Sequence, residues 1–196
     1  MSKKFVIFGN PVAHSKSPQM QNAGFKHINF DAIYEKFHLI DGDLLKSEFL
    51  KNGFSGANIT VPHKEKAFLQ ADVIEGIAKK IEAVNTYVLK DNKVIAYNTD
   101  APGFLKAIES FGNVKNVLLL GAGGTAKAIS LALQEKNIEV TVLNRSEGKL
   151  DFFKENRIKC FTWDNFEASN FDLVVNSTSA GLKDEYLSAS KEILEP

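Results

Sequence analysis

The sequence predicts an α/β fold in two lobes, and three observations carry that reading. From Lys115 onward, apolar strand segments alternate with helical ones, the pattern of a parallel sheet covered by helices on both faces. The first of those strands, Val117-Leu118-Leu119-Leu120, runs straight into Gly121-Ala122-Gly123-Gly124-Thr125-Ala126 and then a helix. Glycines there permit a sharp turn and close backbone approach to a pyrophosphate, and the helix start offers N–H groups and a positive dipole end. More than a hundred residues precede this turn with their own strands and helices, so a whole lobe lies ahead of it. The second lobe is accordingly expected to be a Rossmann-like, doubly wound nucleotide domain.

The elements follow in order. Residues 4–8 form an apolar strand that ends in the turn cluster Gly9-Asn10-Pro11. Ser17-Pro18 starts a helix to about Ile28, with Ser17 as N-cap and Pro18 in the first turn. Residues 32–38 alternate as a strand. Residues 41–51 read as a helix, with Leu44, Leu45 and Phe49 on one side and Gly53 past its end. A short strand over 56–61 stops at Pro62. Residues 64–81 read as mostly helical, with a break near Ala71-Asp72. Strands over 83–89 and 94–97 flank Asp91-Asn92, a hairpin turn. Thr99 or Asp100 caps a helix to about Phe111, closed by Gly112-Asn113 and read as the connector between lobes. The strands of the second lobe are 116–120, 140–143, 157–161 and 173–176.

Composition narrows the function classes. The chain has 196 residues, 44% hydrophobic and 24% charged, as in soluble globular proteins. Its 24 basic and 24 acidic residues leave a formal net charge of +0, so nothing argues for nucleic acid or a membrane surface as partner. One cysteine, Cys160, cannot form an internal disulfide, which suits a reducing cytoplasm. The apolar run after Lys3-Lys4 is too short for a signal-peptide core, and no apolar stretch approaches membrane-spanning length. The four histidines are scattered without zinc-like spacing, so no metal is expected.

The second strand of a dinucleotide-binding unit usually ends in an acid that holds the adenosine ribose. Here residues 140–143 run into Asn144-Arg145-Ser146. A guanidinium in place of the acid suits a 2′-phosphate by charge and by its planar fork. Lys149, four residues on, could add a second cation on the same helical face. The plain alternative is a surface arginine at a strand end. The missing acid together with the present base favours NADP over NAD.

Three polar segments of the first lobe are unusual for scaffolding. In Gly9-Asn10-Pro11-Val12-Ala13-His14-Ser15-Lys16-Ser17-Pro18, the hydroxyls of Ser15 and Ser17 lie beside a helix start, which favours an anionic group such as a carboxylate. Simple N-capping by Ser17 is the plainer reading of the residues alone. In Asn58-Ile59-Thr60-Val61-Pro62-His63-Lys64, Asn58 and Thr60 alternate on one face before a proline-fixed turn. A lysine held in a cleft can act as a general acid or base, although most single lysines are exposed on helices. In Glu82-Ala83-Val84-Asn85-Thr86 and Tyr97-Asn98-Thr99-Asp100, Asn85 reads equally as a turn residue and Asp100 as a cap. All of these groups fall at strand ends, where open α/β sheets place ligands.

Together, Gly-x-Pro-x-x-His-Ser-x-Ser-Pro (9–18), Asn-x-Thr-x-Pro-x-Lys (58–64), Ala-Val-Asn-Thr (83–86), Asn-Thr-Asp (98–100), Gly-Ala-Gly-Gly (121–124), Asn-Arg-Ser (144–146) and Asn-Ser-Thr-Ser-Ala-Gly (176–181) resemble the shikimate dehydrogenase family. Seven motifs in the family's order cover almost the whole chain. Glu82 stands where the family usually has glycine, and Lys127 where it often has arginine. The resemblance implies reversible, NADPH-dependent reduction of 3-dehydroshikimate to shikimate in aromatic amino-acid biosynthesis. A quinate/shikimate enzyme using NAD is the alternative that Arg145 argues against. It implies a substrate-binding and catalytic domain over 1–100 and an NADP-binding domain over 101–196. Ser15 and Ser17 would hold the substrate carboxylate. Thr60, Lys64, Asn85 and Asp100 would hold ring hydroxyls, with Asn58 in support and Lys64 and Asp100 as the catalytic pair. Gly121, Ala122, Gly123, Gly124, Thr125 and Ala126 would form the pyrophosphate turn. Asn144, Arg145, Ser146 and Lys149 would clamp the 2′-phosphate, and Thr178 would also touch cofactor. The implied state is a cytoplasmic monomer or homodimer acting on a small molecule.

The family continues beyond the 176–181 motif, with a further substrate-binding tyrosine and glutamine and a wall of the nicotinamide pocket. This chain ends at Pro196 with four nucleotide-lobe strands, against the six of the full doubly wound pattern. The nucleotide domain is therefore expected to be incomplete. This form of the chain is expected to be a weakly active enzyme or a ligand-binding fragment without turnover.

Overall fold

Residues Lys3–Gly9 (β1) carry an apolar run whose last four positions are buried, so β1 sits inside a sheet with both faces covered. The computed structural model describes residues 2–167, 169–178 and 180. It divides into two units, Met1–Thr99 and Asp100–Pro196.

In the first unit β1 is followed by Ser17–His27 (α1), Ala32–His38 (β2), Leu45–Lys51 (α2), Gly56–Ile59 (β3) and Lys64–Gln70 (α3). Val73–Ile74 (β4), Ala78–Ile81 (α4), Thr86–Lys90 (β5) and Lys93–Tyr97 (β6) complete it. The six strands form one sheet in the order β2-β1-β3-β5-β6-β4. β1 pairs in parallel with both β2 and β3, whereas β5 runs antiparallel to β3 and β6. The β5–β6 hairpin turns on Asp91 and Asn92, at φ 51° and 57°, the left-handed pair that a two-residue turn requires. Below the sheet, Phe8, Leu45, Phe49, Phe54, Ala67 and Tyr87 form a buried core. Truncating one of its phenylalanines, such as Phe49, should cost ~3–5 kcal/mol.

In the second unit Asp100–Ile108 (α5) precedes Asn116–Leu120 (β7), Gly124–Glu135 (α6), Glu139–Asn144 (β8), Asp151–Glu155 (α7), Lys159–Thr162 (β9) and Leu173–Asn176 (β10). Among the described residues its four strands are all parallel, in the order β10-β7-β8-β9. Leu118, Leu120 and Leu143 are buried against Trp163, Phe166 and Phe171. The α/β class, the parallel sheet and the strand–helix alternation agree with the sequence reading.

Several local expectations need correction. The stretch 64–81 is not one interrupted helix: β4 lies within it and pairs with β6. Asp72 places β4 there, taking the Val94 N–H on its carboxylate at 2.8 Å and donating its own N–H to Val94 O at 2.9 Å. Residues 42–44 form a 3-10 turn before α2 rather than its first turn. Arg157 precedes β9 in a left-handed turn, φ 57°, instead of opening the strand. Ser17 is the first residue of α1, whose N-cap is Lys16, so the Ser17 hydroxyl does not cap the helix.

Candidate functional site

In the first unit, one edge of the sheet collects the polar residues. β1 and β3 end side by side there: Thr60 N–H donates to Phe8 O at 2.9 Å, and Asn10 N–H to Val61 O at 3.0 Å. Gly9 is required by that approach, since a Cβ would sit 2.4 Å from Thr60 Cγ2. The loop after β1 carries Ser15, whose Oγ accepts the Ser17 N–H at 3.3 Å. Lys36 on β2 steadies this loop by donating to Ala13 O. Because β5 is antiparallel to β3, its beginning reaches the same edge, with Thr86 opposite Asn58. Asn85, just before β5, and the chain leaving β6 meet there too: Asn85 N–H donates to Tyr97 O at 3.0 Å, and Thr99 N–H donates to Asn85 Oδ1 at 2.9 Å. Ser15, Ser17, Asn58, Thr60 and Asn85 thus belong to one edge, although the sequence spreads them over seventy residues.

Lys64 opens α3 at that edge and is half-buried. Three bonds set the turn that carries it. Val84 N–H donates to Lys64 O at 3.0 Å, and His63 N–H donates to Thr60 O at 3.0 Å. The His63 ring, buried within the turn, bonds through Nε2 to Leu39 O at 2.6 Å. Farther along α3, the buried Tyr87 hydroxyl donates to Ala67 O and ties the helix to β5. Burial raises the Tyr87 pKa well above the usual phenol range, which keeps that donor protonated. His63 and Tyr87 therefore build the site without being legible as site residues. Asp100 is the first residue of α5, directly after Thr99.

Glu82, in the family's glycine position, caps α4 in the left-handed region at φ 57°. Glycine occupies that region at no steric cost, so the departure has a conformational price for any side chain.

The second unit presents a different edge. After β7, Gly121 is buried at φ +103°, with an added Cβ 2.9 Å from both Ser177 Oγ and Thr178 Cγ2. Only glycine fits there. Gly121 N–H donates to Leu143 O at 2.8 Å, which brings the turn beside the end of β8. Ser177 flanks the other side, donating from N and Oγ to Leu120 O at 2.9 and 2.6 Å. β7 lies between β8 and β10, so the turn sits where chain connections diverge to opposite sides, the switch point at which open α/β sheets bind ligands. α6 starts behind Gly123, which brings no side-chain cap to the N–H groups of the first turn. Ala126, fully buried, lets the helix pack closely.

The loop after β8 holds Asn144, Arg145, Ser146 and Lys149. Asn144 Nδ2 donates to Ser146 O at 2.8 Å and closes the loop, leaving Arg145 and Lys149 exposed. Lys149 belongs to the 3-10 turn Glu147–Lys149 and Arg145 is not helical, so the expected shared helical face does not exist. Thr178 donates from N and Oγ1 to Asn176 Oδ1 at 2.9 and 2.7 Å. Ser179 and Gly181 of the 176–181 motif lie outside the described residues. The glycine-only turn, the uncapped helix start and the two exposed cations fit a phosphorylated dinucleotide.

Two family models match. Residues 7–87 match the shikimate dehydrogenase substrate binding domain, and residues 106–188 match shikimate / quinate 5-dehydrogenase. A Helicobacter hepaticus protein named shikimate dehydrogenase (NADP(+)) is 43% identical over 97% of this chain and 72% of its own length. This chain belongs to the shikimate dehydrogenase family.

Solved structures of shikimate dehydrogenases share its fold. The Aquifex aeolicus shikimate dehydrogenase aligns with TM-score 0.90 and 33% identity over 98% of this chain and 75% of that one. The Thermus thermophilus shikimate 5-dehydrogenase, solved in complex with NADP(H) and shikimate, aligns with TM-score 0.81 and 33% identity over 90% of this chain and 69% of that one. Among the described residues, no helix is long and apolar enough to cross a membrane.

Proposed function

We propose that this chain catalyses the reversible, NADPH-dependent reduction of 3-dehydroshikimate to shikimate. The observation that carries the reading is the single sheet edge where Ser15, Ser17, Asn58, Thr60, Lys64 and Asn85 gather, in a domain whose family model is that of shikimate binding. The groups suit such a substrate. Ser15 and Ser17, at the start of α1, hold the carboxylate through hydroxyl donors and the helix end. Ser17, which does not serve as the N-cap, keeps its hydroxyl for this role. Thr60 and Asn85 hold ring hydroxyls, with Asn58 behind them.

NADPH supplies the hydride when bound. The substrate carbonyl oxygen gains negative charge as reduction proceeds, and the Lys64 ammonium stabilises it and donates the proton. In the reverse direction Lys64 takes the hydroxyl proton back. Asp100, the second member of the catalytic pair, accepts from the adjacent ring hydroxyl. In the second unit, Gly121, Ala122, Gly123, Gly124, Thr125 and Ala126 would hold the pyrophosphate, and Arg145 with Asn144, Ser146 and Lys149 would hold the 2′-phosphate. Thr178, beside the turn, completes the cofactor edge. The enzyme is read as a cytoplasmic monomer or homodimer.

The test is shikimate-dependent reduction of NADP+ by this chain, followed by NADPH fluorescence, with NAD+ in a parallel series. Turnover with NADP+ and shikimate, and far less with NAD+, is the expected outcome. Absence of both turnover and shikimate binding by calorimetry would overturn the reading.

A further inference from the structure

Behind Asn58 and Asn85 runs a chain of hydrogen bonds whose direction can be worked out. Thr99 N–H and Thr86 Oγ1 both meet Asn85 Oδ1 at 2.9 Å. A backbone N–H can only donate, so the amide atom facing it must be the oxygen. The Thr86 hydroxyl spends its one proton on that same oxygen, so toward Asn58 it can only accept. The Asn58 atom 3.3 Å from Thr86 Oγ1 is therefore Nδ2. Asn58 Oδ1 then faces the Tyr34 hydroxyl, 2.6 Å away, which must donate. The relay runs Tyr34 to Asn58 to Thr86 to Asn85, and every orientation in it follows from one backbone N–H.

Tyr34 is built to hold its end. It is 4% exposed, and its ring packs with Ile7, Val12, Phe5 and Phe25. It lies on β2, an edge strand, where the Asn22 side chain stands in for a missing neighbour. Asn22 accepts the Tyr34 N–H at 2.8 Å and donates to Tyr34 O at 2.9 Å. Burial pushes the hydroxyl well above the usual phenol range, so it stays a donor at any pH the protein meets.

We propose that Tyr34 is a positioning residue for substrate binding, fixing through Asn58 and Thr86 the amide orientation in which Asn85, whose Nδ2 also donates to Thr99 Oγ1 at 3.0 Å, meets a ring hydroxyl. This rests on the shikimate reading of the site. In Tyr34→Phe the ring keeps its packing, but Asn58 Oδ1 loses its donor. The Asn58 amide then keeps only its long 3.4 Å bond to Asn85 O against turning, Thr86 can redirect its proton to it, and Asn85 Oδ1 loses the Thr86 donor while keeping those of Thr99.

The experiment has a ligand-free and a ligand-bound arm. Without ligand, Tyr34→Phe should shift the side-chain NH2 resonances of Asn85 as well as those of Asn58. With ligand, calorimetry should show shikimate affinity falling roughly 5–20-fold, the scale of one buried hydrogen bond, with NADP+ affinity unchanged. In an Asn58→Ala background the same substitution should change shikimate affinity by less than about twofold, because the relay is already cut. Unmoved Asn85 resonances, or an equal loss in both backgrounds, would overturn the proposal. Wild-type protein that binds no shikimate would overturn the functional reading instead, while the ligand-free resonances still decide whether the relay exists.

Discussion

The candidate sites of the two units are built from different parts of the chain. The first uses side chains: hydroxyls, amides and an ammonium brought to one sheet edge by a mixed topology, then oriented by hydrogen bonds from behind. The second uses backbone: a glycine turn and an uncapped helix start between parallel strands, with charged side chains added at the rim. The difference follows from the antiparallel β5–β6 hairpin. It brings the start of β5 and the end of β6 to the edge where β1 and β3 finish, so four segments converge in the first unit. An all-parallel sheet contributes only the loops that leave its strands. A side-chain site should therefore fail residue by residue, and a backbone site should fail at glycines.

Substitutions can break that contrast. The largest expected effect is Lys64→Ala: kcat should fall roughly a hundredfold or more, the scale of a lost acid–base group, while NADPH still binds. Near-normal turnover would remove Lys64 from its role. Gly121→Ala should act in the other unit alone. A side chain at φ +103°, driven toward Ser177 and Thr178, should weaken NADP(H) binding by about tenfold or more. Shikimate affinity, measured by calorimetry, should hold. Arg145→Ala should weaken NADP(H) by roughly tenfold or more, as for a hydrogen bond to a charged group, and leave NAD(H) nearly unchanged. Equal losses for both cofactors would mean that Arg145 does not read the 2′-phosphate.

Smaller effects sharpen the comparison through stability. Glu82→Gly relieves the left-handed residue behind α4 and should raise stability by ~1 kcal/mol in denaturant unfolding. Each unit also has one carboxylate that latches a strand. Asp72 is held below the usual carboxylate range by its bond from Lys46 and by the Val94 N–H. Asp172 is held below it by the N–H groups of Lys115 and Asn116, at 2.8 and 3.0 Å. A depressed folded-state pKa contributes stability above the unfolded value of about 4, and loses it as pH falls through the lower folded value. Acid unfolding below about pH 4 should therefore lose part of its pH dependence in Asp72→Asn and in Asp172→Asn. No change in slope in either variant would mean that the latches contribute nothing.

The sequence by itself determined what local chemistry can determine. The parallel strands of the second unit were legible from strand segments alternating with helical ones, and the turn at Gly121 from glycines between a strand and a helix. The hairpin was legible from Asp91-Asn92, and the basic character of the loop after β8 from Arg145 standing where an acid is usual. The candidate site residues were legible because seven short motifs stand in order. Only tertiary structure decided what depends on distant partners. β4 has two residues, too few for any periodicity, and exists because Asp72 bonds to Val94. Ser17 looked like an N-cap, and the backbone made it a helical residue instead. His63 and Tyr34 carry no motif: one matters because Leu39 O lies beside its ring, the other because Asn58 lies across the sheet. A hydrogen-bond relay has no signature in sequence, since each bond joins residues that only folding brings within 3 Å or so of one another.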